Sequence, residues 1–173
     1  LANSGIEINP YVNRMQMMAL AANCRITAGR IGRRGGKTHI MIPGRLLKAA
    51  WAMKQSAGYL AGKSYRKILD HLLPEIVAGW QSFGLVEGID FVVCKTPPPH
   101  FKRPYICPRN FDHGITFSWG SFIHLISFDY SSTSNGLATD YGAIDEAKQL
   151  DPLRVDSELM KTMSGHRSIR LDK

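Results

Sequence analysis

The hydrophobic pattern of the chain changes between a period typical of helices and one typical of strands. Apolar side chains between Ile68 and Trp80 recur at the i, i+3, i+4 and i+7 spacing of an amphipathic helix. Helices are predicted over residues 11–22, 45–55, 65–83 and 152–163, with a further helix that begins at Lys37 and is kinked or split at Pro43-Gly44. Strands are predicted over residues 25–28, 57–62, 91–94 and 141–145, with a β-hairpin over 114–129 that turns around Trp119-Gly120-Ser121.

This order of elements predicts an α/β domain built around a largely parallel central sheet, flanked by helices and elaborated by the hairpin. The 173 residues are enough for a single domain, and an apolar content of 44% excludes a disordered chain. No apolar run approaches the roughly 18 residues that a membrane span needs, and the N-terminus lacks the layout of a signal peptide. We therefore expect a soluble, cytosolic protein. The start at Leu1 suggests a piece of a longer chain.

Positive charge is concentrated in the first part of the sequence. Residues 1–69 contain 12 Lys and Arg against one acid, Glu7, whereas residues 70–173 contain 10 basic and 13 acidic residues. An asymmetry of this kind indicates a polyanionic partner, either nucleic acid or the phosphates of a nucleotide.

A glycine-rich run, GRIGRRGGKTH at residues 29–39, lies between a predicted strand and a predicted helix. Glycines allow backbone N–H groups to turn toward a phosphate, and the following helix adds its positive N-terminal end. Lys37 would neutralise the β- and γ-phosphates, and Thr38 would offer its hydroxyl to Mg²⁺. The strict P-loop, or Walker A, motif has glycine where this chain has Ile31. The alternative is an ordinary glycine-rich turn with a solvated lysine.

A second signal is DYGAIDEA at residues 140–147, a short apolar strand that ends in the adjacent acids Asp145 and Glu146. A P-loop ATPase needs carboxylates at such a strand end, its Walker B motif, one for Mg²⁺ and the next to activate water. Taken alone, two adjacent acids after apolar residues are more typical of a helix N-terminus. Their order and their separation from Lys37 favour ATP binding and hydrolysis. A second acid beside the metal ligand is not required of a small-molecule kinase, so hydrolysis coupled to movement is favoured.

Here the chain resembles the large terminase subunits that pump DNA into bacteriophage and herpesvirus capsids. GRRGGKT at 32–38 is similar to their deviant phosphate loop, and IDEA at 144–147 is similar to their acidic strand end. Residues 57–76 resemble the strand, loop and helix that follow the loop, and GITFSWGSFIHLISFD resembles the hairpin before the acidic strand. The resemblance covers about residues 10–165 and implies the RecA-like P-loop NTPase fold of the ASCE class.

The resemblance also implies a role for particular residues. Lys37 and Thr38 would bind phosphate and Mg²⁺, Asp145 would complete the metal site, and Glu146 would be the general base. Arg33 would contact the γ-phosphate, although a solvated basic turn is the alternative for Arg33 and Arg34. The remaining nucleotide contacts would come from Gly32, Arg34, Gly35 and Gly36, with Tyr11 and Gln16 holding adenine.

The resemblance further implies the partners and the setting. ATP hydrolysis would drive double-stranded viral DNA into a procapsid, in a homo-oligomeric ring at a portal, with a small terminase subunit as partner, in the cytoplasm of an infected or lysogenic host cell. Residues 1–173 would form one ATPase domain that stops before the coupling motif and lacks the C-terminal nuclease domain. Alternatives are a helicase-like or recombinase-like DNA-dependent ATPase and a non-hydrolysing nucleotide-binding scaffold module.

Several positions depart from the family pattern or remain open. Asn135 stands where many terminases carry an arginine finger, so a finger would come from elsewhere, with Arg109, Arg154 and Arg167 as candidates. The side chains of Cys94, His100, Cys107 and His113 are of the type that binds Zn²⁺, but their spacing lacks the close pairing of common zinc modules. The basic and aromatic residues of segment 97–113 fit either a DNA contact or a solvated surface loop.

Overall fold

The computed structural model describes residues 12–24, 26–29, 35–129 and 136–163. Within them the fold is a mixed α/β arrangement around an open five-stranded sheet. The strands are β1 (Ala57–Gly62), β2 (Phe91–Val93), β3 (Gly114–Phe117), β4 (Phe122–Ser127) and β5 (Tyr141–Ile144). Of the candidate site residues named above, Tyr11, Gly32, Arg33, Arg34, Asn135 and Arg167 lie outside the described ranges.

The strand order is β2-β3-β4-β1-β5. Strand β1 pairs in parallel with both β4 and β5, whereas β2, β3 and β4 pair in antiparallel fashion. The prediction of a parallel centre is confirmed. The hairpin β3–β4 is more than an elaboration, because β4 is itself one of the three parallel strands and Leu60 of β1 pairs with Leu125 of β4.

Helical segments flank this sheet. They are α1 (Arg14–Ala21), α2 (Ile42–Ala52), α3 (Tyr65–Lys67), α4 (Leu73–Ser82) and α5 (Pro152–Arg154), with π-helical turns at Lys37–Met41, Ile68–Leu72 and Val155–Leu159 and a 3₁₀ turn at Met160–Thr162. The helix is not split at Pro43-Gly44, which was one of the two outcomes predicted there. The helical run continues from the π turn into α2, and Pro43 is the second residue of α2.

The strand predicted over residues 25–28 is also wrong for its described part, because residues 26–29 have no regular structure. The guanidinium of Arg45 donates to the carbonyls of Ala22 and Cys24, which fixes the backbone just ahead of this segment. Ile26, the large apolar residue of the pattern, is 63% exposed. In place of the predicted short strand, residues 26–29 form an exposed segment without regular structure.

Both faces of the sheet are covered. On one face Trp80 packs edge-on against Phe91 and Phe117, with ring centroids 5.2 and 5.1 Å apart, and donates its indole N–H to the Pro43 carbonyl. Leu60 of β1 faces this cluster, while its neighbours Tyr59 and Ala61 face a second cluster with Phe128 and Leu159. Alternation of this kind, with apolar residues on both faces, is what a central parallel strand requires. Within the described residues, no helix is both long and apolar enough to cross a membrane.

Candidate functional site

The candidate site lies where β1 and β5 end. Because these two strands are parallel, their carboxyl ends reach the same edge of the sheet, which is the usual position of ligands in open α/β sheets. Asp145 directly follows the last residue of β5, and its backbone N–H donates to the carbonyl of Ala61 at 3.0 Å. This bond extends the ladder by one residue and fixes where the Asp145 side chain leaves the sheet.

The Lys37 ammonium and the Asp145 carboxylate form an ion pair, with Nζ and Oδ1 2.5 Å apart. The lysine side chain is 32% exposed and the aspartate 19%. Apart from this ammonium, the buried Oδ1 has no hydrogen-bond donor among the described residues. The glycine-rich run and the acidic strand end, more than 100 residues apart in the sequence, therefore meet in one place.

Gly36 gives Lys37 its position at the start of the π turn. Its φ of 70° is left-handed, a conformation that glycine adopts without strain. Its carbonyl accepts from the N–H of Ile40 at 3.0 Å and of Met41 at 3.4 Å, which begins the helical run. The first N–H groups of such a run have no acceptor within the helix, so this end attracts anions. Thr38, next to Lys37, is half-buried in this first turn.

Gln16 is the buried residue of helix α1, at 7% exposure, while Met15, Met17 and Met18 of the same helix are exposed. Its amide Nε2 donates to the Gly35 carbonyl at 3.2 Å. A Cβ at Gly36 would lie 2.0 Å from that Nε2, so the contact requires glycine there. Gln16 thus holds the glycine-rich segment from the side.

The Gln16 side chain is itself fixed by the start of its own helix. Its Oε1 accepts from the Asn13 N–H at 2.8 Å, and the Asn13 side chain accepts from the Gln16 N–H at 2.9 Å, a reciprocal capping box. Both ends of the Gln16 amide therefore have protein partners. Its predicted contact with adenine stays a prediction, and its contact with Gly35 was missed. The Asn13-x-x-Gln16 spacing is a pattern from which the cap could have been predicted, but no local pattern indicates Gly35 as the partner.

Glu146 lies at the rim of the site. Its backbone is left-handed, with φ of 51° and ψ of 43°, which turns the chain out of β5 and into a short 3₁₀ helix at Ala147–Gln149. Its side chain is exposed, and Oε2 accepts from the Gln149 amide at 2.5 Å. Adjacent residues thus hold one carboxylate against Lys37 and the other toward solvent.

Helix α4 packs closely against the π turn at Lys37–Met41. A Cβ at Gly79 would lie 2.0 Å from the His39 carbonyl oxygen and 2.7 Å from the Pro43 ring, so α4 approaches the turn more closely than any side chain permits. The imidazole Nδ1 of His39 also lies 3.3 Å from the carboxylate of Glu75 in α4. The sequence pattern indicated Gly79 only as part of a helix, and its packing role was missed.

The other candidate residues do not join this site. Arg154 donates to the Phe128 carbonyl at 2.9 Å and lies over the Phe128 ring, in the cluster on the opposite face. Arg109 is exposed in segment 97–113.

The four residues of zinc-binding type do not form a metal site. No group of three or more His, Cys, Asp or Glu side chains close enough to hold a metal occurs in the described part of the chain. His113 stacks on Tyr65, and burial raises the pKa of the Cys94 thiol, which keeps it protonated.

Comparison of the chain with protein-family models, with curated proteins and with solved structures finds no match in any of the three. The function therefore has to be argued from the site itself.

Proposed function

We propose that the chain is a P-loop ATPase domain of the kind found in large terminase subunits, in which ATP hydrolysis drives double-stranded DNA into a procapsid. The observation that carries the proposal is the ion pair between Lys37 and Asp145 at the carboxyl edge of parallel strands. A lysine after a glycine turn, facing a carboxylate at the carboxyl end of a parallel strand, is the arrangement that phosphoryl transfer on this type of sheet uses.

Without nucleotide, the Lys37 ammonium is paired with the Asp145 carboxylate. When triphosphate enters, the Lys37 ammonium leaves Asp145 and contacts the phosphate oxygens, while the N–H groups of the first helical turn face the same charge. The oxygens of the Asp145 carboxylate and the Thr38 hydroxyl are hard donors of the type that Mg²⁺ takes, and Thr38 is the residue after the lysine that pairs with Asp145. Bound there, Mg²⁺ would supply charge neutralisation for the transferred phosphoryl group.

Glu146 is placed to act as the general base that takes a proton from the attacking water. Its carboxylate is exposed beside Asp145, and its Oε2 accepts from the Gln149 amide, so its other oxygen is the one that would take a proton from water. Water attacks the γ-phosphorus, the bond to the β-γ bridging oxygen breaks, and Glu146 takes the proton of the water. The products are ADP and phosphate. Gln16 keeps Gly35 and Gly36 in place during this step through its bond to the loop carbonyl.

The test is release of phosphate from ATP with Mg²⁺, with and without linear duplex DNA. Lys37→Ala is expected to abolish turnover. Glu146→Gln is expected to bind ATP normally and to lower the turnover number by at least about a hundred-fold, as loss of a general base does. Lys161→Ala, an exposed lysine in the 3₁₀ turn at Met160–Thr162, is the matched control and should turn over normally. Normal turnover by Glu146→Gln would remove Glu146 from this role.

The DNA part of the proposal needs its own measurement. A duplex motor displaces a third strand bound to the duplex without separating the duplex strands. Displacement that depends on ATP and on Lys37 supports the packaging motor, whereas release of a duplex strand supports a helicase-like or recombinase-like ATPase.

A second candidate is a nucleotide-binding module that does not hydrolyse ATP. The bond between Glu146 and Gln149, 2.5 Å long, favours it, because a carboxylate held this way must be released before it can orient water. ATP binding that depends on Lys37, with no phosphate release at high protein concentration, would identify this second function.

A further inference from the structure

A groove of about 620 Å³ lies away from Lys37 and Asp145, between α2, the segment after α4 and the hairpin turn. Its walls are mainly apolar and aromatic, and they include Leu20, Leu47, Trp51, Phe83 and Trp119. A volume of this size falls within the range of small-ligand sites. We call it the tryptophan groove after Trp51 and Trp119.

Trp51 is the exposed part of this groove, with 49% of its surface accessible, although it lies on the same helix as the fully buried Ala50. The ring is nevertheless held in place. It contacts Trp119 edge to face, with centroids 4.9 Å apart, and Trp119 donates its indole N–H to the Ala50 carbonyl at 2.9 Å. Trp119 also stacks on Phe117 at 4.6 Å. An exposed indole on a rigid support is a stacking platform for a planar group.

Two cationic side chains lie at this platform, and two more cationic residues lie on the segment bonded to the hairpin turn. Lys48 lines the groove, and the Lys54 ammonium lies 5.2 Å from the centroid of the Trp51 ring. Lys102 and Arg103, both exposed, are anchored beside the hairpin turn, because the Lys102 N–H donates to the Ser118 carbonyl and the Arg103 carbonyl accepts from the Gln55 amide. The acid of the lining, Asp90, is engaged through Oδ2 with the N–H of Val86 at 2.8 Å. The groove thus suits a planar, apolar group joined to negative charges.

We propose that the tryptophan groove binds a single-stranded nucleic acid segment, with an unpaired base against Trp51 and the backbone phosphates against Lys48, Lys54, Lys102 and Arg103. A base in a duplex is already stacked on its neighbours and cannot cover the indole, which is why the single strand is favoured over the duplex. A sequence-independent contact follows, since every base has a π-face. The proposal shares no residue with the nucleotide site and does not depend on ATP hydrolysis.

The experiment measures fluorescence anisotropy of a labelled 20-nucleotide thymidine strand with the purified chain, without ATP or Mg²⁺. Trp51→Ala is expected to weaken binding about ten-fold, in keeping with the loss of one stacked base, and Trp51→Phe should restore part of that loss. Lys54→Gln is expected to weaken binding and to reduce the slope of log affinity against log salt by about 0.7. Far-ultraviolet circular dichroism and urea midpoints establish that each variant is folded, and the side chain of Lys54 is exposed and tolerates replacement.

Two controls test where the strand binds. Lys161→Ala removes one positive charge elsewhere on the surface, and Lys37→Ala disables the nucleotide site, and both should bind the labelled strand like the parent protein. If the protein proves not to hydrolyse ATP, the affinities for the labelled strand stay the same. The two proposals can therefore be contradicted independently.

Four results would overturn the inference. They are no binding of the strand at low salt, equal affinity of Trp51→Ala and the parent, equal affinity for a blunt duplex of the same length, and competition by a mononucleotide or an acidic peptide as strong as competition by the unlabelled strand.

Discussion

Lys37 Nζ lies 2.5 Å from Asp145 Oδ1, and this contact joins the start of a helical run to the end of strand β5. The ion pair holds two elements together that are far apart in the sequence. Each partner leaves a different defect when it is removed. Loss of the lysine leaves a buried carboxylate oxygen without its ammonium, whereas loss of the aspartate charge leaves a lysine that can turn to solvent.

The first prediction concerns this asymmetry. Lys37→Ala is expected to lower the free energy of unfolding by about 1–2 kcal/mol through the unpaired Asp145 oxygen, and Asp145→Asn by less. ATP should bind to Asp145→Asn without the Mg²⁺ dependence of the parent protein, because the site retains the ammonium and loses the carboxylate. Urea unfolding and titration with a fluorescent ATP analogue, each with and without Mg²⁺, measure both effects. Equal Mg²⁺ dependence in Asp145→Asn and the parent would exclude Asp145 as a metal ligand.

The second prediction concerns Gly36 and Gln16. Gly36→Ala places a Cβ 2.0 Å from the Gln16 amide and forces an L-residue to a φ of 70°, so we expect a loss of stability of about 2–3 kcal/mol. Gln16→Ala removes the obstacle but leaves the backbone strain, which is about 1 kcal/mol. The double variant should therefore be more stable than the sum of the single effects predicts. Urea midpoints of the four proteins form the cycle, and strict additivity would mean that the two residues do not meet.

The residues of the ion pair and most of the sheet could be predicted from the sequence, for different reasons. Lys37 and Asp145 were recognisable because glycine-rich loops and acidic strand ends are local patterns with a known chemical purpose. The sheet was recognisable from apolar runs, since β1 has the predicted bounds and β4 and β5 begin or end within a few residues of theirs.

What could not be predicted depends on contacts between distant residues. The run at 25–28 has the composition of a strand, but Arg45, which lies 20 residues further on, binds the carbonyls ahead of it. The π turn at Lys37–Met41 packs against Gly79, and no local pattern contains the close approach of Gly79 to the His39 carbonyl. The hydrogen bond between Gln16 and Gly35 joins residues 19 positions apart, so a local sequence pattern does not contain it.

The third prediction concerns Gly79. An alanine there would meet the His39 backbone carbonyl, which cannot rotate away, so Gly79→Ala is expected to cost about 2–3 kcal/mol despite the better helix propensity of alanine. The matched control is Ala78→Gly on the same helix, which should cost about 1 kcal/mol through propensity alone. Because the π turn carries Lys37, Gly79→Ala should also weaken binding of the ATP analogue, whereas Ala78→Gly should not. Urea unfolding and analogue titration separate the two effects, and a Gly79→Ala protein as stable as the parent would contradict the close approach.

The fourth prediction concerns His124 on β4, whose ring packs edge-on against Phe122 with centroids 4.7 Å apart. Burial lowers the pKa of His124 from 6.5 to about 4, because the charged imidazolium loses its hydration inside the fold. Between these two pH values the unfolded chain binds a proton that the folded chain excludes. The free energy of unfolding should therefore fall as the pH drops from 6.5 to about 4, by up to about 3 kcal/mol from this one group.

His124→Gln isolates that contribution, since glutamine is neutral throughout and the other five histidines are common to both proteins. Urea unfolding at pH 7, 5.5 and 4.5 is expected to show a steeper loss of stability in the parent than in the variant, with the difference between them growing as the pH falls. At pH 7 the imidazole is neutral in both the folded and the unfolded state to a first approximation, so a difference there reports packing alone. Parallel pH profiles would mean that the His124 ring is as well solvated in the folded protein as in the unfolded chain.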